Sequence, residues 1–241
     1  MVYGIISDIH SNLEASRSVI NTLNQRGVDK IICLGDIVGY GANPNECCEL
    51  ARKTAFLVVL GNHDAGSIGL TSLRNFSKSA IAVCQWTDQI LTHENRDWLK
   101  KLPLTDEIGE ELMVHSAPAN PSEWKYILSL NDAITEFRAF SGQICFVGHS
   151  HVPCSFIEQD NRYNIVENSK FTLNPKARYI INPGSVGQPR DGDPRASFAI
   201  YDKYNRKVEI VKRSYDIKSA QQKILDAGLP DALASRLAVG R

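Results

Sequence analysis

Phe56-Leu57-Val58-Val59-Leu60 runs without a spacer into Gly61-Asn62-His63-Asp64. A row of β-forming residues that ends in a glycine and three polar groups reads as a buried strand stopping at a site. Open parallel sheets bind ligands beyond the carboxyl ends of their strands, which is where these polar groups fall. A surface turn would look the same in isolation, and what separates the two readings is recurrence. Residues 2–6 lead to Asp8 and His10, 31–34 to Gly35 and Asp36, 111–114 to His115, and 144–147 to Gly148, His149, Ser150 and His151. Five of the six histidines therefore stand at strand ends, and only His93 does not.

Working outward, strand and helix alternate over the first two thirds of the chain. After the first strand, Ser11 with Glu14 reads as a capping box, Leu13, Ile20 and Leu23 share a helical face, and Gly27 ends the helix. With the second strand this makes a βαβ unit. The loop 39–44 hands over to a short helix with Pro44 in its first turn. Ile81, Cys84, Trp86, Ile90 and Leu91 form a helical stripe, Trp98, Leu99 and Leu102 a second, and residues 131–140 a further helix. Beyond residue 152 the rhythm changes to short strands at 154–158, 163–166, 178–181, 197–201 and 207–213, which suggests antiparallel pairing in a mixed sheet or in two packed sheets. Residues 218–241 read as a helical tail broken at Gly228-Leu229-Pro230. No linker interrupts the pattern, so a single domain spanning 1–241 is expected.

At 241 residues and 43% hydrophobic content the chain can bury a full core. Lys+Arg and Asp+Glu both number 27, and no run of like charge resembles a nucleic-acid arm. Polyanion binding is therefore disfavoured as the main task. The N-terminus enters a strand without a signal-like segment, and no apolar stretch approaches membrane-spanning length. A soluble cytoplasmic protein without a membrane partner is expected. Cys33, Cys47, Cys48, Cys84, Cys145 and Cys154 show no CxxC spacing and read as buried, reduced thiols.

Asp8, His10, Asp36, Asn62, His115, His149 and His151 offer carboxylate, imidazole and amide oxygen, a mixed set suited to divalent Mn, Fe, Zn, Co or Ni. The groups exceed what one tetrahedral ion takes, so two ions are implied, and Asp36 is the natural bridge across roughly 3.5–4 Å. Two divalent ions, two aspartates and one bridging hydroxide leave a positive site, so the substrate should be an anion. Such a pair brings the pKa of bound water from 15.7 to about 7, and the hydroxide so formed suits phosphoester hydrolysis. His63 should face away from Asn62 because successive extended residues alternate. With Asp64 to orient it, His63 is a candidate proton donor to the leaving alcohol; a further metal ligand is the alternative.

At these residues the chain resembles the calcineurin-like metallophosphoesterase superfamily, whose motifs DxH, GDxxG, GNH[DE], a lone H and GHxH all occur in order. The resemblance implies an α/β fold, a four-layer αββα sandwich of two mixed sheets flanked by helices. It implies one metal on Asp8, His10, Asp36 and His151, a second on Asp36, Asn62, His115 and His149, and His63 as the catalytic imidazole. Gly35 to Gly41, Trp86-Thr87 and the stretch 181–192 look like a compact prokaryotic branch of about this length. Its members are often labelled phosphodiesterases, or relatives of diadenosine tetraphosphatases and serine/threonine phosphatases. The expected partner is thus a small or nucleotide-like phosphomonoester or phosphodiester. A nuclease on the same site is the alternative, disfavoured by the neutral charge and the lack of an aromatic-basic groove in the sequence. A non-catalytic scaffold would have lost a ligand, and none is missing. Around the site, the stretch 182–195 reads as a lip. Arg190 or Arg195 is a candidate phosphate clamp and Tyr40 or Asn43 a leaving-group contact, unless the arginines pair with Asp191 and Asp193 to brace the loop.

Overall fold

A computed structural model describes residues 1–241. Its elements, in order, are β1 (Val2–Ile6), α1 (Leu13–Gln25), β2 (Lys30–Cys33), α2 (Pro44–Thr54), β3 (Ala55–Val58), α3 (Asn62–Ser67), α4 (Lys78–Ile90) and α5 (His93–Leu99). There follow β4 (Thr105–Ile108), β5 (Glu111–Val114), α6 (Leu130–Glu136), β6 (Ile144–Phe146), β7 (Cys154–Gln159), β8 (Arg162–Ile165) and β9 (Lys170–Thr172). The last are β10 (Arg178–Asn182), β11 (Ala196–Asp202), β12 (Lys207–Arg213), α7 (Ile217–Asp226) and α8 (Asp231–Leu237).

Twelve strands make two mixed six-stranded sheets, ordered β3-β2-β1-β11-β12-β9 and β4-β5-β6-β10-β7-β8. The period-two alternation of each strand explains why they stack. Along β1, Tyr3 and Ile5 join Ile32, Leu34, Met113, Phe146, Tyr179 and Ile181 in the core between the sheets. Ile6, one step away, faces outward into a second core where Leu13, Val19 and Leu23 of α1 and Cys47, Cys48 and Ala51 of α2 cover the first sheet. On the far side Ala133 of α6 and Phe137 after it cover Val114, Cys145, Val147 and Ile180 of the second sheet. The result is the four-layer αββα sandwich. β1, β2 and β3 run parallel, as do β5, β6 and β10, and the turns after β1, β2, β5 and β6 converge at one edge of the sandwich. No helix is long and apolar enough to cross a membrane. All six cysteines are free thiols, five of them buried.

Several local expectations need correction. The N-cap of α1 is Asn12, whose Oδ1 accepts from Ala15 N–H at 3.1 Å. Ser11 is instead held at φ 53° with its N–H on Ile37 O, and Glu14 bonds Lys223, so the Ser11/Glu14 capping box does not form. The expected buried strand over 56–60 is instead β3, the edge of its sheet, with only Leu57 buried within it; Phe56 is 56% exposed, with Lys30 Nζ 3.4 Å above its ring. Asn62 and His63 open α3 rather than continuing an extended strand. β4 and β9 are additional strands of four and three mostly polar, exposed residues, with one half-buried apolar residue each (Ile108, Phe171), too short for alternation to reveal them.

Candidate metal centre and its cleft

Each ligand-bearing turn bends sharply as it leaves its strand. Asp8, His10, Asp36, His149 and His151 all hold φ between 48 and 66°, a left-handed conformation that side-chain-bearing residues seldom adopt. Each costs on the order of 1–3 kcal/mol, which the surrounding hydrogen bonds must over-determine, and such strain gathers at functional sites. Asp8 N–H donates to Gly35 O, His10 N–H to Asp36 O and Gly148 N–H to His115 O, stitching the turns to one another. Gly61 is an absolute requirement: a Cβ there would lie 2.2 Å from the Asp36 nitrogen. Asn182 fastens the last turn, its Nδ2 donating to Gly148 O and to Ser150 Oγ at 3.0 Å.

The turns bring together all seven residues singled out as ligands. Asp8, His10, Asp36 and His151 form one buried group, and Asp36, His115 and His149 a second, each with ligand atoms within 4.8 Å of one another; Asp36 belongs to both. Asn62 Oδ1 lies 3.1 Å from His115 Nε2 and completes the second.

The donor set fits cations. His10 Nδ1 donates to Val38 O at 3.1 Å, His151 Nδ1 to Gln188 O at 2.6 Å and His115 Nδ1 to Leu34 O at 2.7 Å, while His149 uses Nε2 on Trp124 O at 2.8 Å. Main-chain carbonyls thus set the tautomer of all four rings and turn the other nitrogen's lone pair inward. The Nε2 atoms of His10 and His151 face each other at 3.0 Å. Asp36 Oδ2 lies 3.5 Å from His10 Nε2 and 3.4 Å from His115 Nε2, and Asp8 Oδ1 lies 3.4 Å from His151 Nε2. Neither carboxylate oxygen has a hydrogen-bond partner. Apart from the Nε2 of His115 the converging atoms are acceptors that repel one another, and a shared cation reverses the sign of every term.

Titration behaviour agrees. Burial raises the Asp8 carboxyl to about 6. Burial also opposes ionisation of Asp36, yet the imidazoles of His115, His63 and His10 outweigh it and hold that carboxyl well below its ordinary value. Burial lowers His149 to about 3 and His10 and His151 well below the usual imidazole value, as suits neutral ligands. His115 alone moves up, to about 9, because Asp36 overcomes burial; a proton there does the work a cation would otherwise do.

His63 occupies the rim. Its side chain diverges from Asn62 because the two begin a helix, about 100° apart around its axis, and not through strand alternation. Its N–H donates to Asp36 Oδ1 at 2.7 Å, while its ring lies against Tyr40 at 4.4 Å, His10 at 4.9 Å and Phe76 at 5.2 Å. Burial lowers this imidazole to about 4. Asp64 is not its orienting partner. That carboxylate accepts from Ile37 N–H at 2.8 Å, Val38 N–H at 3.0 Å and Gly61 N–H at 3.1 Å, and so ties the β2 turn to the start of α3. The polar side chain beside His63 Nδ1 is Cys84 of α4, with Sγ at 3.8 Å and its thiol pushed up by burial to about 12.

Arg190 and Arg195 behave differently. Arg195 is locked onto Asp193 at 2.6 Å and Asp191 onto Lys212, bracing the 182–195 lip. Arg190 reaches inward, its Nη2 donating to Tyr40 Oη at 3.3 Å and Gln188 Oε1 at 3.0 Å. Asn43 turns away to Glu46 and Lys223, which leaves it out of the site.

Over the cluster opens a cleft of ≈ 850 Å³. Sequence reading missed much of its wall: Phe76, Trp124 and Tyr126, with Arg236 and Arg241 from the far end of the chain. Tyr126 stacks on His149 at 3.9 Å, and Trp124 Nε1 donates to Thr71 Oγ1 across the cleft at 3.2 Å. An aromatic and basic groove therefore exists although no contiguous stretch encodes it. The outward-facing Tyr126 beside a turn at Trp124 was the only local hint.

The sequence profile described as the calcineurin-like phosphoesterase superfamily domain matches residues 1–206. The chain belongs to the calcineurin-like phosphoesterase superfamily. This chain is a metallophosphoesterase, a phosphoric ester hydrolase. It is 44% identical over 241 residues to an uncharacterised protein of Methanocaldococcus jannaschii, covering 98% of this chain and 97% of the relative. It is similar to the crystal structure of a metallophosphoesterase from Sphaerobacter thermophilus, at 40% identity and a TM-score of 0.87 over 100% of this chain and 99% of that one. A hypothetical protein from Pyrococcus horikoshii shares the calcineurin-like fold, at 22% identity and a TM-score of 0.79 over 100% and 98% of the two chains.

Proposed function

We propose that the chain is a cytoplasmic, dinuclear metallophosphoesterase acting on a small or nucleotide-like phosphoester. The observation that carries the reading is the pair of buried ligand groups sharing Asp36, in which one oxygen of Asp8 and one of Asp36 have no hydrogen-bond partner. Asp8, His10, Asp36 and His151 would hold one ion and Asp36, Asn62, His115 and His149 the other. Bound there, divalent transition metals supply a nucleophile from water at neutral pH and neutralise charge on the phosphate.

The remaining roles belong to the chain itself. Main-chain carbonyls hold the four ligand imidazoles in the tautomer that faces the centre. His63 touches Asp36 and His10 without joining either group; a phosphate anion bound beside it raises its imidazole from about 4 and lets it donate a proton to the leaving oxygen, while Asn62 and Arg190 steady the phosphate oxygens. Tyr40, fixed between His63 and Arg190, contacts the leaving group. Asp64 acts on the reaction through the backbone it holds. The exposed face of Tyr126 and the half-buried Phe76 and Trp124 support a substrate with a flat ring. Free thiols throughout are compatible with the cytoplasm.

The test compares p-nitrophenyl phosphate, bis(p-nitrophenyl) phosphate and dinucleoside polyphosphates with Mn, Co, Ni, Zn and Mg in turn. Metal-dependent release of product from at least one is expected. Failure with every pairing, in protein shown to bind metal, overturns the reading. Faster, salt-sensitive cleavage of single-stranded oligonucleotides would point to a nuclease instead.

A further inference from the structure

The cleft is far larger than one phosphate group requires; its volume lies in the range of sites that enclose whole organic ligands. Its charge is also lopsided. In a chain with 27 basic and 27 acidic residues, the only carboxylate side chain on the cleft wall is Glu123, and Lys125 neutralises it at 2.6 Å. Arg190, Arg236 and Arg241 remain, and none has a carboxylate partner; Arg190 bonds the neutral Tyr40 and Gln188 and lies near the Tyr126 hydroxyl. Arg190 from the lip and Arg236 and Arg241 from the C-terminal tail thus line one space, and none of them forms an ion pair.

Two of them arrive on a built element. Leu233, Ala234 and Leu237 of α8 pack with Tyr40 and with Ala80 and Val83 of α4, so the helix is seated on the wall of the cleft itself. Gly192 N–H donates to Gly240 O at 2.9 Å, and Arg241 N–H to Arg236 O at 3.3 Å, which pins the end of the tail to the lip that carries Arg190. The family match ends at residue 206, so α7 and α8 lie outside it. A tail outside the matched region that brings Arg236 on α8 and Arg241 just beyond it to the cleft wall has the chemistry of a specificity element. Guanidinium is the group best matched to phosphate oxygens.

We propose that Arg190, Arg236 and Arg241 form a second anion subsite at the mouth of the cleft, and that the substrate is a phosphoester bearing a second phosphate group. The first phosphate is cleaved at the metal centre and the second is held by the arginines. The proposal rests on the phosphoesterase reading above and deepens it.

The Mn-loaded protein is assayed on adenosine 5′-monophosphate and adenosine 3′,5′-bisphosphate, and on glucose 1-phosphate and glucose 1,6-bisphosphate. Wild type should show a lower KM for each bisphosphate, and Arg236→Gln/Arg241→Gln should shrink that preference by about ten-fold or more. Arg236→Lys, which keeps the charge, should retain most of it. Arg236 also sits in the last turn of α8, where a cation favours the helix dipole, so a readout independent of turnover is needed. Titration of the metal-free protein with tripolyphosphate, followed by isothermal calorimetry, should give binding about ten-fold weaker in the double variant. Equal KM values for mono- and bisphosphates in wild type, or indistinguishable titrations, overturn the proposal. So does a single-stranded oligonucleotide that competes more strongly than the bisphosphates. A wild type inert on all four esters but distinguished from the variant by tripolyphosphate would sink the catalytic reading and leave the subsite standing.

Discussion

Asp36 and His63 lie side by side, yet their replacement should have different signatures. Asp36 touches both ligand groups and also accepts the His63 N–H, so Asp36→Asn should abolish measurable turnover and sharply lower bound metal by elemental analysis. The effect should exceed the roughly 10- to 100-fold that follows loss of a contact one shell further out. His63→Ala should keep its metal while kcat falls by roughly 10²- to 10⁴-fold, the usual worth of a positioned acid. An unchanged kcat would remove His63 from the chemistry. Cys84 is the less obvious residue here. A thiol kept protonated by burial sits where a carboxylate was expected, and Asp64 is occupied elsewhere. Sequence reading placed Asp64 beside His63 because adjacency was the only information it had.

Among the elements, the start of α3 and the 182–195 lip make the clearest demands. Asp64 satisfies three buried N–H groups on two turns, so Asp64→Ala should destabilise the fold by at least about 2 kcal/mol in chemical denaturation. A smaller loss would mean that the turns relax and find other acceptors. In the lip, hydrogen bonds from Arg195 hold the Asp193 carboxyl down to about 2 from 3.8. A depressed folded value means the contribution is fully present above pH 3.8 and disappears as pH falls through 2. Asp193→Asn should therefore flatten the acid limb of the stability curve in that window, measured by thermal melts against pH; an unaltered limb would show that solvent screens the pair. Strand ends were legible because apolar runs stop abruptly at Asp8, Asp36 and His115. β4 and β9 were not, since exposed polar strands owe their existence to a neighbour's free edge and not to their own composition.

At the level of the whole molecule, the ligands come from turns of both sheets: Asp8, Asp36 and Asn62 from one, His115, His149 and His151 from the other. Metal held by these groups would link the two sheets and should stabilise the sandwich globally. At a hundred times Kd the gain is about 2.7 kcal/mol, or roughly 5–10 °C in Tm for a chain of this size. Chelation should return the melt to its lower value, and a Tm indifferent to both treatments would mean the two sheets do not share the ions. The seven candidate ligands could be read in advance because each is local to one turn, whereas the sandwich followed from the family resemblance, the strand pattern alone leaving one mixed sheet or two packed sheets open. The cleft could not, because Phe76, Trp124, Arg190 and Arg236 meet only after the chain has folded. A practical consequence follows from the bond between Gly192 and Gly240. An affinity tag fused after Arg241 would tug on the active-site lip and distort measured kinetics, whereas one placed ahead of the exposed Met1 joins the chain at the opposite end of β1 from Asp8.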